Sequence, residues 1–216
     1  MGKRYSELPF RDRPDLTPYL IHLTKNTIND DDYSAYDNLL NILRTGRLWG
    51  SDNSGFIKGK DNTATCFMDI PFTSLKYILN EENSSPSHPR YEPYGIFVEK
   101  NYAYKEGVRP VLYLSDDEVE SLNIPNGELW RVVKLEVHNR DWVSWVHERE
   151  WRCKGDFHLP CKNNSRRVQP FKLGVLVKTY KDVLKLQQDI NDNPGKFNIE
   201  ISTILPLDII CQGLYI

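Results

Sequence analysis

Tyr19-Leu20-Ile21-His22-Leu23-Thr24 is the first strongly apolar stretch of the chain. Its β-prone residues, followed by a polar, acidic run to Asp32, predict a strand that ends in solvent. Tyr36, Leu39, Leu40 and Leu43 then recur at spacings of three, one and three, the stripe of an amphipathic helix, and Gly46 stands where a C-cap glycine belongs. Leu48-Trp49 resumes extended chain. Residues 50–63 set glycines, asparagines and two lysines around only two large apolar side chains, which predicts a mobile loop. Thr63 to Met68 reads as a buried strand. Pro71 is placed to open a helix at its first turn, and Phe72, Leu75, Tyr77, Ile78 and Leu79 fill that helix through Asn80.

A polar, proline-rich loop follows over residues 81–93. Gly95–Val98, Pro110–Leu114, Trp130–Leu135 and Val143–Val146 supply strand-like runs, the last two also compatible with helix. Glu150–Cys153 is a further short strand, and Lys172–Lys178 another, built on a Leu-Gly-Val-Leu-Val core. Tyr180–Ile190 is an amphipathic helix, and Phe197–Ile201 with Ile209–Ile216 are expected to finish the sheet. Strands outnumber helices and do not alternate with them, so the pattern predicts an α+β fold rather than a doubly wound parallel sheet. A length of 216 residues fits a single domain over 1–216, with the proline-containing residues 1–18 as an N-terminal arm laid over the core.

Composition narrows the function classes. The chain is 39% hydrophobic and 27% charged, yet its 12 Tyr, 8 Phe and 5 Trp are enough to anchor a core, which excludes a disordered chain. Its 28 basic and 30 acidic residues leave a net charge of −2, so nucleic-acid binding would have to be local. Cys66, Cys153, Cys161 and Cys211 form no CxxC pair, which argues against a metal site and a disulfide framework and for idle thiols in a reducing cytoplasm. The polar opening residues carry no signal peptide and no apolar run is long enough to cross a membrane, so a cytoplasmic protein without membrane association is expected.

Three segments place polar groups on otherwise buried elements. On a strand, His22 and Thr24 share a face roughly 7 Å apart; such a histidine is also a common structural residue. On a helix, Ser74 and Tyr77 share a face, where a hydroxyl can bond a planar amide while the phenol stacks on its ring. In His147-Glu148-Arg149-Glu150-Trp151-Arg152, an extended chain would send Glu148, Glu150 and Arg152 one way, two carboxylates and a guanidinium on one face; a surface charge cluster is the plainer alternative.

Taken in order, His22-x-Thr24 on a first strand, Asn38-Leu39-Leu40-x-Ile42-Leu43-x-x-Gly46-x-Leu48, Cys66-Phe67-x-Asp69 ahead of Ser74-x-x-Tyr77, and finally Glu150 resemble the ADP-ribosyltransferase fold. The likeness is greatest to its His-Tyr-Glu, diphtheria-toxin-like branch, which includes poly(ADP-ribose) polymerases, and to the DarT-type bacterial toxins that modify nucleic acid. It covers about residues 19–153. The ending Glu150-Trp151-Arg152 also resembles bacterial families associated with phage defence.

The resemblance implies a split β-sheet core with flanking helices and NAD as co-substrate, with no metal. It implies that His22 bonds the nicotinamide-side ribose, that the Leu23 backbone grips the carboxamide beside Thr24, that Ser74 touches the carboxamide and Tyr77 stacks on the ring. Glu150 would be the catalytic carboxylate, holding the ribose 2′-hydroxyl and stabilising the cationic charge that builds as nicotinamide leaves. The triad tyrosine falls at Cys66 or Phe67, leaving Phe67 to supply any ring there. Glu148 and Glu150 together are similar to the Glu-x-Glu of arginine-modifying toxins. Arg44 or Arg47 is a candidate for the NAD diphosphate.

The acceptor is read separately. From Arg149 to Lys172 there are seven Lys or Arg against two acidic residues, with Trp151, Phe157 and Phe171 interleaved. Arg149, Trp151, Arg166 and Arg167 are therefore candidates for holding single-stranded RNA, or DNA second. The expected function is an NAD-dependent toxin of a toxin–antitoxin or anti-phage system, with a cognate antitoxin as possible partner. The alternative is a catalytically inactive member of the same fold that binds a partner, as an antitoxin or defence sensor.

Overall fold

The computed structural model describes residues 13–27, 33–58, 62–84, 89–138, 141–143, 145–159, 173–197 and 199–212. The predicted arm (up to residue 12), Cys161, Arg166 and Arg167 lie outside them.

Strand β1 (Tyr19–Leu23) leads to helix α1 (Ala35–Thr45), which starts on a capping box. The Ser34 hydroxyl accepts from the Asp37 amide, and the Asp37 carboxylate accepts from the Ser34 amide. Gly46 ends the helix at φ 69°, a left-handed conformation that glycine adopts without steric cost. Strands β2 (Arg47–Leu48), β3 (Asn53–Ser54), β4 (Ile57–Lys58) and β5 (Ala64–Phe67) follow, then helix α2 (Leu75–Ile78). After β6 (Gly95–Glu99) come α3 (Lys100–Lys105), β7 (Arg109–Pro110), β8 (Leu112–Leu114), α4 (Asp116–Ser121) and β9 (Val132–Lys134). The chain continues through β10 (Glu136–His138), β11 (Asp141–Val143), β12 (Trp151–Lys154), β13 (Phe157–His158), β14 (Leu173–Val177), α5 (Tyr180–Asp192), β15 (Ile201–Pro206) and α6 (Leu207–Ile210).

The architecture is mixed α+β, built from several small sheets and helices. The largest sheet has the order β1-β6-β14-β15, antiparallel except for the parallel β14–β15 pair, which α5 connects. Side chains alternate across it. Leu20, Ile96, Val98, Val175 and Val177 pack on one face with Leu39 and Leu43 of α1 and Leu186 of α5. Ile21, Phe97 and Leu176 face the other way, onto Met68, Leu75 and Leu207. β14 is buried along its whole length, which explains its unbroken Leu-Gly-Val-Leu-Val run. Gly95 is required where β6 crosses β1, because a Cβ there would sit 2.1 Å from the His22 carbonyl oxygen.

A second sheet, β5-β12-β7, carries the charged segment around residue 150. It meets the first at a single antiparallel bridge, in which Ile21 and Met68 exchange backbone hydrogen bonds of 2.9 and 2.7 Å. Among the described residues no helix is long and apolar enough to cross a membrane.

Four expectations are corrected. The described part of residues 50–63 is not an open loop: β3 and β4 form a hairpin there, and Ile57 is fully buried beside Ala64 and Trp130. The helix from Pro71 is a 3-10 turn, Phe72–Ser74, running into the single turn α2, and Tyr77 is 70% exposed instead of filling the core. Val143–Val146 does not form one strand, because β11 stops at Val143 and Val146–Glu148 is a 3-10 turn. Among the described residues the last strand is Ile201–Pro206, and Leu207–Ile210 is helical, so Ile209 does not extend the sheet; residues 213–216 of the expected strand lie outside the described residues.

Candidate active site

Where the two sheets part, a cleft of about 390 Å3 opens beside the Ile21–Met68 bridge. His22, Leu23, Cys66, Phe67, Glu148, Glu150 and Arg152 line it, with Lys25, Ser51, Arg90, Tyr91 and Trp145. β1 supplies His22. Its Nδ1–H donates to the Cys66 carbonyl at 2.8 Å, which leaves Nε2 as the acceptor nitrogen. Burial lowers the imidazole pKa, so the ring is neutral near pH 7. The edge of Phe67 packs against it, ring centres 5.9 Å apart.

The ladder also positions the Leu23 backbone. Ile21 spends its N–H and C=O on Met68, and Thr24 donates its N–H to the Tyr94 carbonyl on the opposite edge. By alternation, Leu23 turns its N–H and C=O to the same edge as Ile21, toward the parting of the sheets.

Glu148 and Glu150 reach the cleft by a turn rather than an extended strand. The 3-10 turn Val146–Glu148 ends at Arg149 in the left-handed region, φ 47°. As a result Glu148 and Glu150 line the cleft, whereas His147 and Arg149 line a neighbouring depression. Both carboxyl groups are buried, at 6% and 7% exposure. The Tyr91 hydroxyl donates to Glu148 Oε1. Burial raises the Glu148 pKa to about 7, against the lowering effect of the Tyr91 hydrogen bond and with the Glu150 charge adding to the rise.

Glu150 is held differently. Arg152 Nε and Nη2 donate to its two oxygens, and Arg152 Nη1 donates to the carbonyls of Trp130 and Val132 at 3.2 and 3.0 Å. The Glu150 amide donates to the Tyr113 hydroxyl at 2.9 Å. Burial, with the Glu150 charge adding to it, pushes the Cys66 thiol well above its ordinary range, so Cys66 is no thiolate nucleophile.

The remaining sequence candidates are dispersed. Thr24 is buried, and its hydroxyl is spent on the carbonyls of Ala35 and Tyr94 at 2.8 and 3.2 Å, tying β1 to the start of α1. Ser74 and Tyr77 line the neighbouring depression with Arg149. Arg44 lies in the last turn of α1 with its guanidinium 5.6 Å from the Phe197 ring centre, and Arg47 is paired with Asp156. Trp151 is half-buried, and its indole N–H donates to Asp69, which Lys100 also pairs at 2.6 Å. Besides Arg152, which Glu150 engages, two cations line the cleft, Lys25 and Arg90, the latter 5.1 Å from the Trp145 ring centre.

Sequence reasoning placed Arg152 on the face of Glu148 and Glu150 but did not count it as part of the site. It missed Lys25, Arg90, Tyr91 and Trp145. Tyr91 and Arg90 fall in a polar loop with no periodicity, so no signal marked them. No family model, no curated protein and no solved structure matches this chain.

Proposed function

We propose that this chain is an NAD-dependent ADP-ribosyltransferase, a cytoplasmic toxin of bacterial toxin–antitoxin or anti-phage defence, whose acceptor is single-stranded nucleic acid, RNA ahead of DNA. One observation carries the reading: His22, Leu23, Phe67 and Glu150, from three separate parts of the site resemblance, line a single cleft at the parting of two sheets. The charge layout supports it. Carboxyl groups at Glu148 and Glu150 suit a cationic nicotinamide ring, and Lys25 and Arg90 on the same cleft suit a diphosphate.

In this reading His22 Nε2 accepts from a ribose hydroxyl, and the Leu23 N–H and C=O pair with the carboxamide. Arg152 orients the Glu150 carboxylate toward the ribose. The C1′–N1 bond breaks, nicotinamide leaves with the electron pair, and Glu150 stabilises the positive charge left on the ribose. The acceptor then bonds to C1′ and gives up its proton to Glu148, whose pKa near 7 suits a base at neutral pH.

A second reading is a catalytically inactive binding protein of the same fold, an antitoxin or defence sensor. It is favoured by the engagement of both Glu150 oxygens with Arg152 and by Cys66 or Phe67, neither a tyrosine, at the triad tyrosine position. Incubation with labelled NAD and separate pools of RNA, DNA and protein distinguishes the two. Label on single-stranded RNA, then DNA, with nicotinamide release is the expected result. Label on protein alone overturns the nucleic-acid acceptor. NAD-dependent stabilisation without nicotinamide release identifies the binding protein.

A further inference from the structure

The turn at residues 147–150 is a partition. Its two acidic residues face the cleft, and its two basic-type residues, His147 and Arg149, line a separate depression of about 520 Å3 walled by the α2 region. Arg149 holds its position through neutral partners: Nε donates to the Asp69 carbonyl at 2.7 Å and Nη2 to the Asp15 carbonyl at 2.5 Å. Among the described residues no carboxylate forms an ion pair with it. The Asp15 carboxylate, which also belongs to this wall, is taken up by Arg13 at 2.8 and 2.6 Å. The guanidinium therefore keeps its charge available to an anion.

The same depression has an aromatic residue in its lining, Tyr77. The Tyr77 ring is 70% exposed, and the Lys76 ammonium lies 5.2 Å from its centre. A large exposed ring with a cation beside it is a stacking platform for another π system. Ser74 adds a hydroxyl to the same wall, whereas the Asn80 amide there is spent on the Tyr77 carbonyl and the Asn83 amide. Cation, ring and hydrogen-bonding groups thus converge on one cavity, the combination that a phosphate joined to a nucleobase requires.

We propose that this depression is a nucleotide-binding site separate from the cleft. Arg149 and His147 take the phosphate, Tyr77 stacks on the base, and Ser74 flanks the base edge. A free mononucleotide and one unit of a single strand share this chemistry. Binding stands without the transferase reading; only a role in presenting an acceptor to Glu148 and Glu150 rests on it.

The test uses the full chain without NAD. Anisotropy of fluorescein-labelled oligouridylate and oligothymidylate reports strand binding, and competition by uridine monophosphate against ribose 5-phosphate reports the base. Tyr77→Leu is expected to weaken the bound species about tenfold, the cost of one lost base stack. His147→Gln, at a second side chain lining the depression, is expected to weaken it a few-fold. Both side chains are exposed, so unfolding curves should match the parent chain. Strand binding weakened by Tyr77→Leu assigns a strand; binding of the monophosphate alone assigns a free nucleotide. Affinity untouched by both substitutions, or no nucleotide binding at all, overturns the proposal. So does a Tyr77→Leu chain that loses NAD-dependent stabilisation while keeping its strand affinity, since the ring would then serve the dinucleotide. Failure of NAD labelling bears on the transferase reading alone.

Discussion

Arg152 grips Glu150 with two near-parallel hydrogen bonds, Nε to Oε1 at 2.8 Å and Nη2 to Oε2 at 3.2 Å, and the two side chains are only 6% and 7% exposed. Such a pair is costly to form but far costlier to halve, because a single charge left behind is buried without a partner. Arg152→Met also strips two backbone carbonyls, those of Trp130 and Val132, of their donor. It is expected to lower stability by about 3–5 kcal/mol in urea unfolding. The double change with Glu150→Gln should recover part of that loss. Equal stability of Arg152→Met and the parent chain would show the pair to be energetically idle.

Glu148 makes stability depend on pH. Its carboxyl is raised from 4.5 to about 7 by burial, so between those values the native state holds a proton that the unfolded chain has released. Stability therefore falls as pH rises through this window, and the loss is complete above it. Glu148→Gln still accepts from Tyr91 but removes the titration. The variant should gain little near pH 4.5 and on the order of 3 kcal/mol by about pH 8, relative to the parent. Melting curves across the window check it; a gain that does not grow with pH contradicts the burial argument.

Turnover ranks the two carboxylates. Glu150→Gln keeps the size but gives up the charge facing the cationic ribose and one of the two oxygens that Arg152 grips, so nicotinamide release per folded molecule should fall about 100-fold or more while NAD-dependent stabilisation persists. Glu148→Gln should cost less, chiefly in transfer to the acceptor. The reverse ranking would move the catalytic carboxylate to Glu148.

The diphosphate offers a third comparison. Lys25 and Arg90 line the cleft, and Arg44 packs on Phe197. Replacing Lys25 and Arg90 with Gln should weaken NAD binding about tenfold and reduce its sensitivity to salt. Arg44→Gln should leave both unchanged. Calorimetry at two ionic strengths separates them, and loss of affinity in Arg44→Gln alone would place the diphosphate over α1.

Local signals were legible wherever a residue type answers to its own backbone. The strand at Tyr19, the spacing of Leu39, Leu40 and Leu43, the Gly46 cap and the apolar run of β14 all appear where the sequence placed them. His22, Phe67 and Glu150 share a cleft because strands and turns bring them there. Illegible were features set by tertiary partners. Ile57 reads as one of two apolar residues in a polar loop until Trp130, far along the chain, buries it. Ser74 and Tyr77 do share a face, but the short α2 turns that face away from the His22 cleft, into the depression beside Arg149. The left-handed Arg149, which sorts its neighbours between two cavities, has no signature in a single sequence.

The order β1-β6-β14-β15 has a consequence for how the molecule comes into being. β14 is the inner strand that joins β6 to β15, yet it is encoded some 150 residues after β1. A growing polypeptide that has emitted His22, Cys66, Glu148 and Glu150 still lacks the strand against which β6 packs. Assembly of the cleft must wait until Leu173–Val177 has left the ribosome, so a nascent chain that already carries all four site residues still has no finished site. For a protein proposed to harm the cell that makes it, that delay withholds activity until β14 has emerged.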